Sequence, residues 1–197
     1  MRATSRVLAV LAFAAAAALG APAALLAQSP APQDDCALIS FAEAGAIIGL
    51  AVSGPDEATQ RQGHCLFTSK QMSKDGSVLY GFIRAEQIPQ LQQYYKAMMH
   101  TCGGLAPGAP REGFCKTIER LSNASDIDAY YAARTGIPSA HPAPQLGPNA
   151  VLSGDGVFVR RDDYVLEAIV IRDQEVDVAR SVTLAQLLLQ RLEPKLH

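Results

Sequence analysis

The sequence predicts an α+β domain, an antiparallel sheet of about five strands with helices packed on its faces. Three observations carry this expectation. "HCLFTS" and "SVLYGFIRA" read as two strands of a hairpin around a turn at Lys74–Gly76. "AVLS", "GVFVRR" and "YVLEAIVIR" follow one another as a meander, with turns at Gly154–Gly156 and Arg161–Asp163. Segments of helical periodicity precede, separate and follow these two strand groups.

The elements can be justified in chain order. Ser40 is a natural N-cap, and Glu43 three residues later completes a capping box. Ile39 takes the staple position, and Phe41, Ala44 and Ile48 fall on one helical face. Gly49 suits the left-handed position that ends the helix, with Leu50 folding back. "VSGPDEATQRQG" is a polar loop before the hairpin. In the second strand Val78, Tyr80 and Phe82 face one way, and Leu79 and Ile83 the other.

Pro89 opens a second helix with a stripe of Leu91, Tyr94, Tyr95 and Met98. A loop from Cys102 to Cys115 interrupts it, and "KTIERL" adds a further turn or two. Ser125 is expected to cap the next helix, with Asp126 and Asp128 at its positive end and Ile127, Tyr130 and Tyr131 on its buried face. Gly136 and Pro138 close it. Adjacent helical residues point about 100° apart, so one tyrosine of each pair 94–95 and 130–131 belongs to the core and the other to its boundary. A ligand cradle is the alternative use of half-buried tyrosines.

A Pro-rich connector spans Ile137 to Asn149. In the last meander strand Tyr164, Leu166, Ala168 and Val170 alternate with Val165, Glu167, Ile169 and Ile171. Both sets are largely apolar, which predicts a central strand covered on both faces. The final helix is expected from about Asp173 to Leu192, with Val178, Val182, Ala185, Leu189 and Leu192 as its core stripe and Pro194 beyond.

The N-terminus predicts export. Arg2 and Arg6 precede the apolar run "VLAVLAFAAAAALGA", and Ala27 offers a small residue for cleavage before Gln28. Residues 1–27 are therefore expected to be a signal peptide, 28–35 a disordered tether and 36–197 a single α+β domain. The leader holds two of the 17 basic residues and none of the 19 acidic ones, which leaves 15 against 19, a net charge of −4. That balance argues against nucleic acid or an anionic membrane surface as partner. No further stretch is long and apolar enough to anchor the chain after cleavage.

All four cysteines, Cys36, Cys65, Cys102 and Cys115, lie beyond the leader. An even count in an exported chain reads as two disulfides. Three pairings are possible, and sequence neighbourhood favours Cys36–Cys65 and Cys102–Cys115. Asp34 and Asp35 before Cys36 are unlike the small apolar residues of a lipidation site. No C-x-x-C suggests redox catalysis. The rival use is zinc held by His64, Cys65, His100 and Cys102, although their spacing matches no common ligand knuckle. His141 and His197 read as solvated side chains.

"CALISFAEAGAIIG" followed by "GHCLF" resembles the start of secreted bacterial domains of unknown function, many of them actinobacterial lipoproteins. Cys36, Glu43, Gly49, Cys65 and Phe67 carry the resemblance. "PQLGPNAVLSGDGVFVRRDDYVLEAIV" is similar to their later part, through Leu146, Gly147 and Ala150. The resemblance implies a PsbP-like sandwich, and it implies no catalytic residues. Pro148–Asn149 and the missing lipidation site depart from the pattern, and about Thr101 to Ala124 lies outside it.

No hydrolase, metalloprotease, phosphate-loop or dinucleotide motif occurs. "GDG" at Gly154–Gly156, Asp162–Asp163 and Asp34–Asp35 read as turn and tether residues. The sequence thus points to a non-enzymatic, secreted or periplasmic module without a cofactor, binding an envelope protein or small ligand. Its expected surface is the Cys102–Cys115 loop and the connector 137–149. A periplasmic enzyme with an unrecognised site is the alternative.

Overall fold

A computed structural model describes residues 35–60, 63–69, 76–103 and 112–192. The expected leader, most of the tether, the Lys74–Asp75 turn, most of the Cys102–Cys115 loop, Pro194 and His197 lie outside the described residues.

The hairpin and the meander join edge to edge. The strands are β1 (Val52–Ser53), β2 (His64–Ser69), β3 (Gly76–Arg84), β4 (His141–Pro142), β5 (Ala150–Ser153), β6 (Gly156–Arg160), β7 (Tyr164–Arg172) and β8 (Glu175–Val176). They form one sheet in the order β1-β2-β3-β7-β6-β5-β4, with β8 added to β7. Every pairing is antiparallel. The five long strands are the five expected, and β1, β4 and β8 correct the count to eight among the described residues. Each added strand has two residues. So short a segment carries no periodicity and forms only where a neighbour's edge is open. β1 and β4 end the sheet, and edges that short offer little backbone to a foreign strand.

The helices are α1 (Phe41–Ile48), α2 (Glu57–Gln60), α3 (Ile88–Met98), α4 (Glu112–Ser122), α5 (Ile127–Thr135) and α6 (Val178–Leu192). α1 and α6 cover one face of the sheet, over Val78, Tyr80 and Phe82 of β3 and Leu166, Ala168 and Val170 of β7. α3, α4 and α5 cover the other, over Ile83 and Val165. β7 is buried on both faces, as its double apolar pattern requires.

The first helix keeps its predicted caps. The Ser40 amide donates to Glu43 Oε2 at 2.8 Å and the Glu43 amide to Ser40 Oγ at 3.3 Å. Gly49 adopts φ 74°, and its amide and that of Leu50 both donate to Gly45 O. Glu43 has a second task, since Arg191 near the end of α6 donates to both its oxygens. The Arg191 guanidinium and the Ser40 amide hold the Glu43 carboxyl at about 2. Arg180 of α6 donates to Ile47 O, so two arginines fasten α1 to α6.

Several local expectations are corrected. Phe41 is 54% exposed rather than core, resting edge-on against Phe67 at 5.8 Å, while Leu38 and Ile39 fill the space beneath α1. α4 is a full helix of 11 residues, not a turn or two. Asp126, not Ser125, caps α5: its Oδ1 accepts from the Ala129 amide at 2.8 Å, and Ser125 Oγ donates to its Oδ2. The carboxylate wins because it is the stronger acceptor for an orphan amide. Tyr131 leaves the expected buried face but is the boundary member of its pair, beside the buried Tyr130, with its hydroxyl donating to Asn149 O.

The last helix begins five residues later than expected. Asp173 and Gln174, at φ 52° and 68°, make the tight turn between β7 and β8. Asp177 then accepts the Arg180 amide and starts α6. The buried stripe runs through Ser181, Leu184, Ala185, Leu188, Leu189 and Leu192. Val178 stays at the surface because Ser181 turns inward, accepting the Val170 amide and donating to Asp177 O.

Candidate functional site

Cys36–Cys65 and Cys102–Cys115 are disulfides, with Cα separations of 5.3 and 5.6 Å. The first pins the short 3-10 turn Asp35–Leu38 to β2. Asp35, assigned to the tether by sequence, is part of the fold. Its carboxylate accepts both Nη groups of Arg84, at 2.9 and 3.3 Å, and its carbonyl accepts the Tyr80 hydroxyl at 3.0 Å. The second disulfide ties the turn Met99–Cys102 to α4. With Cys65 and Cys102 both bonded to other cysteines, the zinc set has no thiolate to offer. His64 is buried, whereas His100 and His141 are exposed. Asp162 and Asp163 are exposed in the β6–β7 turn.

The sequence reading missed a constellation of ionisable groups that is buried among the described residues. Glu167, in the middle of β7, is wholly buried. Its Oε1 accepts the Tyr130 hydroxyl and Arg134 Nε, both at 2.8 Å. Its Oε2 accepts His64 Nε2 at 3.0 Å and Arg134 Nη2 at 3.1 Å. Arg134 Nη2 also donates to the Tyr95 hydroxyl at 3.2 Å. The guanidinium lies 5.5 to 5.9 Å from the ring centres of Tyr95, Tyr130 and Phe158. Tyr130 and Arg134 are one helical turn apart on α5, so a single helix face delivers both.

Sheet register assembles the rest. His64 pairs with Gly81, Gly81 with Glu167, and Glu167 with Phe158, so a row crosses β2, β3, β7 and β6. Gly81 is the gap in this row. A Cβ there would lie 2.7 Å from His64 Cδ2 and 2.7 Å from Gly63 O. The missing side chain lets the imidazole pass over β3 to the carboxylate. Gly81→Ala should therefore cost about 3 kcal/mol by overpacking. It should also move the His64 Nε2 proton resonance away from its carboxylate-bonded position. An unchanged melting temperature would show that the row has slack.

The chemistry of this cluster is saturated. Burial alone would raise the Glu167 carboxyl, but the Arg134 guanidinium and the hydrogen bonds from His64 and Tyr130 outweigh it and hold the acid well below the ordinary carboxylate range. Four donors occupy its two oxygens. Burial, with the nearby Glu167 charge, raises the Tyr130 phenol. Such a carboxylate has neither a free lone pair nor a proton affinity suited to a general base.

The chain matches no protein-family model, no curated protein and no solved structure. Function therefore has to come from the geometry of these residues. Two concavities lie away from the buried network. One of about 580 Å³ runs between α4 and α5, walled by Ala124, Ala129 and Ala132 with Arg120 at its side. The other, of about 300 Å³, is formed by Phe114 and Arg120 of α4, Ile137 and Pro138 of the connector, and Asp155 of the β5–β6 turn. The second joins α4, which carries Cys115 in its first turn, to the start of the connector. Of the surface expected from the sequence, Gly113 and Phe114 of the Cys102–Cys115 loop and Ile137, Pro138 and Ser139 of the connector line this concavity, and most of the loop lies outside the described residues.

Proposed function

We propose that this chain is an exported, non-enzymatic binding domain of the cell envelope, secreted or periplasmic, which takes a partner in the groove between α4 and the connector. The observation that carries it is the groove itself, where Phe114, 44% exposed and next to Cys115 of the clasp, lines the same concavity as Ile137 and Pro138. Two disulfides fit an oxidising environment outside the cytoplasm. No helix among the described residues is long and apolar enough to cross a membrane. A PsbP-like sandwich and kinship with secreted actinobacterial domains are part of this reading, resting on Cys36, Glu43, Gly49, Cys65 and Phe67.

The enzymatic alternative draws no support from the buried network, whose one carboxylate is fully occupied by its own neighbours. The test is affinity capture from envelope extract with the oxidised protein and its Phe114→Lys variant. Partner recovery should fall at least about tenfold, since the change replaces the ring beside Ile137 and Pro138 with an ammonium that must be desolvated when a partner seats there. Undiminished recovery by Phe114→Lys, and by a chain with both segments replaced, would overturn the groove as the site.

A further inference from the structure

We infer that the groove binds an extended peptide through a single internal aspartate or glutamate side chain with apolar neighbours on both sides. The inference rests on the binding reading above and names its partner chemistry. Its centre is Arg120, the residue that lines both concavities. Arg120 Nη1 donates to Gly136 O, the carbonyl just past the end of α5, at 2.6 Å. That bond orients the guanidinium, and Nε and Nη2 have no partner among the described residues. A planar fork held by one corner is a preorganised receptor for a carboxylate.

The surroundings select what accompanies the carboxylate. On one side of Arg120 the wall is alanine, at 124, 129 and 132, which suits small apolar side chains. On the other side Phe114, Ile137 and Pro138 suit a larger one. Because concavities lie on both sides, a chain can pass across Arg120, whereas a terminal carboxylate would fill only one. Glu119 stands in the first wall and Asp155 in the second. Lys116 also lines the second concavity, so the two cations, Arg120 and Lys116, are balanced by the two anions, Glu119 and Asp155. One carboxylate at Arg120 is attracted, but a run of acidic residues would meet Glu119 and Asp155.

The probe is the capped pentapeptide Ac-Ala-Ala-Asp-Leu-Phe-NH2, titrated into the oxidised, isotope-labelled protein and read by amide shifts. Shifts should concentrate at Phe114, Arg120 and Gly136–Pro138's neighbours along the groove. The Asn counterpart should bind about tenfold more weakly, as should the Asp peptide to Arg120→Gln, because a charge-assisted pair is lost in both. The Asp/Asn comparison needs no variant, so it stands even if Arg120→Gln fails to fold. Equal binding of the Asp and Asn peptides would overturn the inference. So would tighter binding of a hexaglutamate, of a peptide whose only carboxylate is C-terminal, or shifts confined to another face. If Phe114→Lys abolishes envelope capture while the probe leaves the groove unmoved, the binding reading stands and this partner chemistry falls.

Discussion

Glu167→Ala is expected to unfold about 10 °C below the parent protein. The reason is the charge it leaves behind. Arg134 is largely enclosed, and its guanidinium has Glu167 as its only carboxylate partner among the described residues. Breaking a buried pair by removing one member costs about 3–5 kcal/mol, because the other charge stays desolvated. For a domain of this size each kcal/mol is worth about 2–4 °C. His64 and Tyr130 lose their acceptor as well. The Glu167→Leu and Arg134→Met changes combined should cost less than the sum of the singles, since the double variant leaves neither charge unpaired. Additive losses would show that the two side chains do not act as a pair.

The same carboxylate sets an acid limit. Its folded-state pKa is depressed below the ordinary 4.5. Its contribution is therefore complete above that ordinary value, and is lost as pH falls from about 4.5 toward the lower folded value. Glu43, held at about 2 by Arg191 and Ser40, titrates in the same direction at the surface. Urea midpoints between pH 6 and pH 3 should fall more steeply for the parent than for Glu167→Gln. Parallel profiles would remove Glu167 as the source of the acid sensitivity.

The second large effect belongs to Cys36–Cys65. The two residues are 29 apart in sequence. Closing a loop of that size is worth about 3.5 kcal/mol on the chain-entropy account, against about 3 kcal/mol for the shorter Cys102–Cys115 loop. The paired Cys36→Ala and Cys65→Ala changes should lower the unfolding free energy by about the larger amount. Reduction should reproduce the loss of both. The first bond also secures the turn that carries Asp35 to Arg84, so its removal should expose the segment before Ser40 to trypsin-independent proteases such as thermolysin. Thiol titration of the unfolded, unreduced protein should find no free thiol. Four free thiols would remove the case for an oxidising compartment and reopen the metal reading.

Local signals carried much of the architecture. The Ser40–Glu43 box, the Gly49 cap, the β2–β3 hairpin and the β5–β6–β7 meander all depend on residues within one turn or one strand of each other, and all are present. The misreadings arise where two local rules compete. Ser125 and Asp126 both cap helices, and the acid won. "RDQEVDVAR" suits a helix start at either of its two aspartates, Asp173 and Asp177, and the β7 edge claimed Glu175–Val176 first.

The buried network left three traces in the sequence: a lone glutamate in an otherwise apolar central strand, a glycine inside a strand, and a Tyr–Arg pair one turn apart. A buried charge requires a partner, and a strand glycine marks a close approach. Those rules show that something must meet Glu167 and something must cross Gly81. They do not say what, because Glu167 lies 33 residues from Arg134 and 103 from His64.

The chain alone thus determined the capped first helix, the two strand groups and the cysteine inventory, since each is written in neighbouring residues. Only the folded sheet decided that His64, Gly81, Glu167 and Phe158 share a row, and that α4 and the connector wall one groove. Register and helix packing bring distant residues together through the sum of many weak contacts. No short stretch of sequence contains that sum.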